Sequence, residues 1–394
     1  MLVVEKLLDL ERSPQNILTK HSTPTSKGCC SQQARYENST KSITQGRDRK
    51  ILTDSSCLSL TVIVKNSQKA DIMNTENTAQ LRELVRYATL APSSHNTQCW
   101  KFRLADHAIS ILPDLSRRCP VVDPDDHHLY VSLGCAAENL AQTARAQGLS
   151  GQIIFDDSGE GAVQVALEPA PAIVTPLFEA IPKRQCTRAE YDGKPLSTAE
   201  LKLLETAGTG DGVRVVLLTE RADLETVLDY VVRGNTAQMN NPAFMKELKS
   251  WIRFNDQEAT RSGDGLSGRT SGNPSIPRWL GNLLSTLLFR AQPENDKIAR
   301  YIRSSAGIAL FVSDVDDKTH WVEAGRCYER FALQATALGI RNAFINQPVE
   351  EASLRPAFAK DLGLGDGRPD LVVRFGRGPE MPPSLRRSLE SVIV

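Results

Sequence analysis

DPDDHHLYVSLGCAAENLAQTARAQGLSGQIIF, from Asp123 to Phe155, and DVDDKTHWVEAGRCYERFALQATALGIRNAFIN, from Asp314 to Asn346, are one element written twice. At a constant offset of 191 residues the copies share three aspartates, Val131/Val322, Gly134/Gly325, Glu138/Glu329, Ala141/Ala332, Ala144/Ala335, Ala146/Ala337 and Gly148/Gly339. Tyr130, Leu133, Ala137, Leu140 and Ala144 follow helical spacing on one face. Trp321, Ala324, Tyr328, Phe331, Ala335 and Leu338 do the same in the second copy. A glycine ends each run, at Gly148 and Gly339, where a left-handed residue stops a helix. Stripes so rich in small side chains predict two buried helices packed against each other across a pseudo-two-fold axis.

A shorter echo precedes each copy: T-A-x-L-x-x-L at Thr78 to Leu84 and at Thr198 to Leu204, an offset of 120. From echo to main repeat is 45 residues in the first half (78 to 123) and 116 in the second (198 to 314), so the second half carries 71 more. We place this insertion at about 234–302 and expect a lid there. Two copies of a half-domain in one chain describe a fused homodimer, an intramolecular pseudo-dimer, with its ligand between the halves. The expected divisions are an N-terminal extension over 1–72, a first half over 73–180 and a second half over 181–394.

Within the halves, Leu81, Leu84, Val85 and Ala88 mark a helix ending near Leu90. KFRL (101–104) with AISIL (108–112) reads as a hairpin. GQIIF and AVQVAL follow the first long helix, RNAFIN and LVVRFG follow the second, and GVRVVLL and GIALFVS complete the second half. The class is α+β, with mixed sheets flanked by helices.

Hydrophobic residues at 40% and charged ones at 24% are ordinary for a globular chain. A net charge of zero argues against nucleic acid as the main partner, and no apolar run is long enough to span a bilayer. The eight cysteines form no C-x-x-C and no zinc spacing, so they read as reduced thiols of a cytoplasmic protein, Cys29-Cys30 being a vicinal pair in a polar tail. Apart from MLVVEKLLDL and CLSLTVIV, residues 1–72 are polar and aperiodic, which reads as a disordered or misassigned extension with Met73 as the start. Gly363, Gly365 and Gly367 read as turns rather than a dinucleotide fingerprint, because no strand runs into them. His127-His128, beside Asp125 and Asp126, reads as a capped, solvated helix start rather than a metal site, since the second copy has Lys318-Thr319 there.

Two segments carry chemistry. Ala91 to Trp100, A-P-S-S-H-N-T-Q-C-W, ends a helix at Pro92 and offers Ser93, Ser94, Asn96 and Gln98 beside free backbone N–H groups, a cradle for a flat polar heterocycle. Arg184-Gln-Cys-Thr-Arg188 places two guanidinium groups where they can fork a phosphate. Arg374, Arg377, Arg386 and Arg387 add positive charge near the C-terminus. At offset 120 the cradle corresponds to Asp211–Val216 and the fork to Val64–Gln68, neither of which repeats the motif. Each half therefore keeps one part of a site, and one complete site survives.

The A-P-S-S-H-N-T-Q-C-W loop resembles the A-P-S-x-x-N-x-Q-P-W loop of the nitroreductase superfamily, and Arg184 and Arg188 resemble the arginines of its R-x-S-x-R phosphate motif. Cys99 replaces the usual proline and Cys186 the usual serine. The fused halves, the W-x-R-F-N…DGL stretch from Trp251 to Leu266 and the terminal arginine pair resemble its mycobacterial Acg-like branch, single-chain pseudo-dimers holding one FMN under a lid. The resemblance covers about residues 73–394. It implies one FMN per chain, its phosphate on Arg184 and Arg188 with Arg386 or Arg387, Cys186 beside them, and its ring and ribityl chain along Pro92, Ser93, Ser94, Asn96 and Gln98. The implied activity is two-electron reduction of nitro or quinone-like flat acceptors, with NAD(P)H as donor. The alternative, also implied by that branch, is a silent protein that sequesters FMN and has no acceptor. No catalytic dyad is evident. The insertion, with N-x-x-Q-M-N-N-P, Trp251, the polar stretch Ser262–Ser275 and Trp279, reads as a flap whose aromatics close over the flat ligand.

Overall fold

Hydrophobic alternation and short turns build two sheets in the computed structural model, which describes residues 77–394 apart from 272–274, 282 and 284–289. The 1–72 extension, Met73, Cys29-Cys30 and Val64–Gln68 lie outside the described residues, as does part of Ser262–Ser275. In the first sheet β1 (Trp100–Ala105) and β2 (Ala108–Pro113) form the expected hairpin, and β3 (Leu149–Asp156) and β4 (Ala162–Pro169) form a second. Chain order continues with β5 (Val213–Leu218), the short strands β6 (Ile252–Arg253) and β7 (Leu266–Ser267), then β8 (Gly307–Ser313), β9 (Arg341–Phe344) and β10 (Arg368–Gly376). The sheets run β1-β2-β4-β3 and β5-β8-β10-β9. Both therefore follow one order: first, second, fourth, third.

Every pairing in these two sheets is antiparallel, which corrects the expectation of mixed sheets. The long helix does join second and third strands that run in the same direction, but those strands are not neighbours. The fourth strand instead returns between the second and third and pairs antiparallel with both. Among the described strands only β6 and β7 pair in parallel, apart from two isolated parallel bridges.

The repeated helices, His127–Ala146 and Lys318–Ala337, link second to third strand in each half and lie buried together. They touch at their shared glycines. A Cβ on Gly134 would overlap the Val322 carbonyl, and one on Gly325 would overlap the Val131 carbonyl. These pairs exchange under the 191-residue offset, the reciprocity a two-fold axis demands. Around them Leu140, Ala144, Phe331, Ala335, Phe311 and Phe375 share one buried core. Each large apolar side chain there contributes about 1.5–3 kcal/mol of burial.

The echo segments are helices too, over 77–88 and Thr198–Gly208, the latter started by a Ser197/Glu200 capping box. Between β5 and β8 the chain makes a long excursion over 219–306, where the first half has only the turn 106–107. It includes the helices Arg221–Asn240, Pro242–Trp251, Asp256–Ser262 and Ala291–Arg303. Repeat arithmetic undercounts it because the second half's own loops are shorter, 209–212 against 89–99 and 314–317 against 114–126.

Two strand-edge contacts carry the arginine segments into place. Cys186 bridges Asn342 of β9, and the Thr187 N–H donates to the Asn342 carbonyl (2.9 Å). The C-terminal segment runs onto β1, where Ile393 bridges Phe102 and Val394 N–H donates to the Phe102 carbonyl (2.9 Å). His127 and His128 are buried rather than solvated, because their helix starts beneath β10 and Trp321. The helix is capped, but by Asp123 rather than by Asp125 or Asp126: both Asp123 oxygens accept backbone N–H groups, from His128 and Leu129 (3.0 Å each), while Asp126 at the N-cap makes no side-chain cap.

Candidate functional site

A cleft of about 820 Å³ opens where these segments converge. The 90–96 loop, the 181–188 segment, one face of the His127–Ala146 helix, the end of β9 and the excursion all line it. The cradle of one half and the fork of the other thus face one space.

On the cradle side the chain leaves the 77–88 helix at Thr89 and turns through a short 3-10 helix, Ser94–Asn96. His95, Asn96 and Gln98 adopt left-handed backbone angles (φ 49°, 54° and 53°). Such residues cost about 1–3 kcal/mol each unless the surroundings hold them. Here Ser93 Oγ accepts from the Gln98 N–H (2.8 Å). Asn96 Nδ2 donates to the carbonyls of Gly265 and Leu385 (3.2 Å each), and its Oδ1 accepts from Arg386 (3.2 Å). Gln98 donates to the Gly263 carbonyl (2.8 Å) and accepts from Arg387 N–H (2.9 Å).

Four expected ligand residues are therefore engaged by the protein. Arg386 donates to the carbonyls of Thr89 (2.6 Å), Leu90 (2.8 Å) and Ala91 (3.1 Å), closing the exposed end of the 77–88 helix. Burial pushes its pKa down to about 10. Arg387 donates to the carbonyls of Gln98 (3.2 Å) and Ser391 (2.9 Å). Gln98 and Arg387 do not line the cleft, whereas Asn96 and Arg386 reach its wall with their polar groups spoken for. These residues hold the loop. Pro92, Ser93 and Ser94 face the space as expected.

On the fork side, Arg184 is buried, its Nε 3.1 Å from the Glu329 carboxylate and its Nη2 donating to the Leu90 carbonyl (3.0 Å). Its Nη1 has no partner. Arg188 is half-buried and lines the cleft with no hydrogen bond or ion pair among the described residues. Cys186 lines it between them as a free thiol. Arg374, in the middle of β10, fixes this segment: it donates to the carbonyls of Thr187 (3.0 Å), Ala189 (2.8 Å) and Tyr301 (3.2 Å) while lying over the Tyr191 ring at 4.0 Å. A lone arginine inside the apolar run LVVRFG was its signal.

The excursion roofs the cleft through Met239, Phe244, Leu248, Ile252, Phe254 and Leu266. Trp251 and Trp279, the aromatics expected over the ligand, do not line it. Trp251 lies between Arg117 (5.3 Å) and Arg253 (5.8 Å), and Trp279 is 69% exposed. The roof latches onto the cradle at Gly263-Asp264-Gly265, a turn with both glycines left-handed. Gly265 N–H donates to the Asn96 carbonyl (3.1 Å), and Asp264 is held by Arg253 (2.7 Å) and Arg117. Burial pushes the Asp264 pKa up, but hydrogen bonds from Arg253, Ser262 and Arg117 outweigh it and leave the carboxyl below its ordinary value.

To two lining groups, His95 and Glu350, the sequence assigns no role. His95 is held neutral: burial, with Arg188 and His128 nearby, pushes its pKa down to about 4. Glu350 accepts from Gln238 (2.8 Å), and burial pushes its pKa up. Asp123, His127 and His128 bring ligand-type atoms within 4.8 Å of one another. Both Asp123 oxygens cap the helix and His127 Nε2 contacts Asp370 (2.9 Å), so these atoms are engaged.

At the end of the Thr198–Gly208 helix, the counterpart of the cradle, charged side chains crowd together among the described residues. There Arg330 donates to the carbonyls of Ala207 (3.1 Å) and Thr209 (3.3 Å) and pairs with Glu138 (3.1 Å), the repeat partner of Glu329. A Cβ on Gly210 would run into Glu323, Cys327 and Arg330.

No family model matches the sequence. Among curated proteins, "Putative NAD(P)H nitroreductase Rv3131" of Mycobacterium tuberculosis (strain ATCC 25618 / H37Rv) is 24% identical over 326 residues, covering 79% of this chain and 90% of that protein. "Putative NAD(P)H nitroreductase acg" of the same strain is 20% identical over 324 residues, covering 79% and 94%. Among solved structures, a nitroreductase with bound FMN from Bacteroides fragilis NCTC 9343 aligns with a TM-score of 0.32 at 15% identity, over 55% of this chain and 95% of that one. The FMN-dependent nitroreductase NfnB from Mycobacterium smegmatis, in complex with NADPH, aligns with a TM-score of 0.34 at 11% identity, over 55% and 96%.

Proposed function

We propose that this chain, a relative of the mycobacterial Acg-type nitroreductase-like proteins, is a flavoprotein that binds one FMN in the cleft and passes electrons from NAD(P)H to a flat acceptor. The observation that carries the reading is the meeting of two loops from opposite repeats, with Arg188 unpaired and Arg184 Nη1 unpartnered between them. An orphaned buried guanidinium N–H beside a free arginine fits a phosphate dianion, whose oxygens accept such donors. In this reading Arg184 and Arg188 neutralise the phosphate, Cys186 lies beside them, and Pro92, Ser93 and Ser94 line the ribityl chain and ring. Asn96, Gln98, Arg386 and Arg387 support that loop from behind. The halves 73–180 and 181–394 act as a fused dimer whose second site is closed by Arg330 and Glu138.

Bound flavin supplies the two-electron chemistry, and the protein supplies position and electrostatics. The apolar roof fits a flat aromatic acceptor of the nitro or quinone type, and we place the protein in the cytoplasm, where its thiols stay reduced. Among the described residues no helix is long and apolar enough to cross a membrane. One observation favours a second reading, a protein that withholds FMN: the Gly263–Gly265 turn is fastened to the cradle by several hydrogen bonds. Steady-state NADPH oxidation by the FMN-loaded protein, with menadione or nitrofurazone as acceptor, separates them. Turnover supports the oxidoreductase, whereas a loaded protein inert with both supports sequestration.

A further inference from the structure

We infer that Glu329 is a positioning residue for Arg184, and that occupation of the cleft by a phosphorylated ligand is coupled to uptake of a proton by this carboxyl. The inference rests on the FMN reading. Its basis is an inequality between two residues that the repeat makes equivalent. Glu138 is matched by Arg330 (3.1 Å), by Arg326 (3.5 Å) and by the Gln142 amide (2.9 Å). Glu329, fully buried, has Arg184 Nε at 3.1 Å and the Asn139 amide beside it, yet neither of its oxygens meets a donor in good hydrogen-bond geometry. A buried carboxylate short of donors is costly to keep ionised. The cation it shares is the one whose Nη1 is unpartnered at the cleft.

The groups facing this carboxyl come from four elements. Arg184 and Cys186 belong to the fork segment, Glu138, Asn139 and Cys135 to the His127–Ala146 helix, Tyr328 to its own helix, and Arg386 to the C-terminal segment. Burial raises the Glu329 pKa to about 7, with Arg184, the Asn139 amide and Arg386 opposing and Glu138 assisting. A phosphate dianion drawn to Arg184 and Arg188 brings two further negative charges toward the carboxylate and competes for Arg184, so the bound state favours Glu329 as the neutral acid. Linkage gives the sign. Above about pH 7 the free protein must take up a proton to bind, and FMN affinity falls by up to about tenfold per pH unit. Below about pH 6 the phosphate loses its second charge and affinity falls again.

The test is flavin-fluorescence quenching with apoprotein, measuring FMN and riboflavin affinity from about pH 5.5 to 9. We expect a bell for FMN in the wild type and loss of its alkaline limb in Glu329→Gln, with riboflavin lacking that limb in both. A wild-type FMN affinity constant from pH 7 to 9, or an unchanged alkaline limb in Glu329→Gln, overturns the inference while leaving FMN binding intact. Failure to bind FMN at every pH overturns the FMN reading and the inference with it. Should Glu329→Gln not fold, calorimetric titration of FMN into wild-type protein at pH 8, in buffers of different ionisation enthalpy, decides. Uptake approaching one proton per FMN is expected, and none contradicts the coupling.

Discussion

Arg188 is the residue on which ligand charge falls most directly, because no hydrogen bond or ion pair among the described residues competes for it. Arg188→Ala removes about 1.5–3 kcal/mol of charge-assisted hydrogen bonding, a loss of roughly tenfold to a hundredfold in FMN affinity. Riboflavin, which lacks the phosphate, should bind the variant as it binds the wild type; equal losses for both would place the phosphate elsewhere. Arg374 acts one layer behind. Arg374→Met leaves the Ala189 carbonyl without its donor and removes one donor each from the Thr187 and Tyr301 carbonyls, which keep the Tyr191, Ser304 and Ser305 hydroxyls. We expect about 1–3 kcal/mol lower stability in urea together with weaker FMN binding. At this scale the sequence was legible for residue type and only partly for role. Arg184, Arg188, Ser93 and Ser94 line the cleft, whereas Asn96, Gln98, Arg386 and Arg387 spend their donors and acceptors on one another and on backbone. A motif names polar atoms. Which partner satisfies them depends on segments some 290 residues apart in sequence, and no local pattern carries that.

Among the elements, the roof and its latch decide access. Asp264→Asn removes the charge that holds Arg253 and Arg117 together, and the Gly263–Gly265 turn should then detach from the cradle. Tryptic cleavage at Arg253, Arg261 and Arg269 should accelerate at least about tenfold, with the sheets still protected. The pH dependence follows from the lowered pKa of Asp264. Its contribution is present above the ordinary carboxyl value of about 3.9 and is lost as pH falls through the lower folded value. The latch should hold at pH 5 and release in stronger acid, as pepsin digestion of the excursion would report. Strand positions were readable from alternation, but strand neighbours were not, because β4 and β10 lie between two earlier strands and no local pattern marks that placement. His127 and His128 misled for a related reason: two adjacent polar residues at a helix start look solvated until β10 covers them.

For the whole molecule, the repeat is the organising fact, and it was legible because an offset needs no structure to be seen. Gly134→Ala tests the seam: its Cβ would overlap the Val322 carbonyl, and backbone cannot rotate away as a side chain can. We expect a loss of about 3 kcal/mol or more, read as a lower midpoint in urea, and the same for Gly325→Ala. What the repeat could not reveal is how the second position is occupied, since Glu138 lies 192 residues from Arg330 in sequence and meets the Glu323 and Arg330 pair of the other helix only when the two helices pack. That closure makes the number of ligands the most direct test of the account. Purified chain, saturated with FMN, freed of excess flavin and denatured, should yield one FMN per polypeptide by visible absorption. Two per chain would contradict the closed second position, and none after saturation would contradict the flavin site itself.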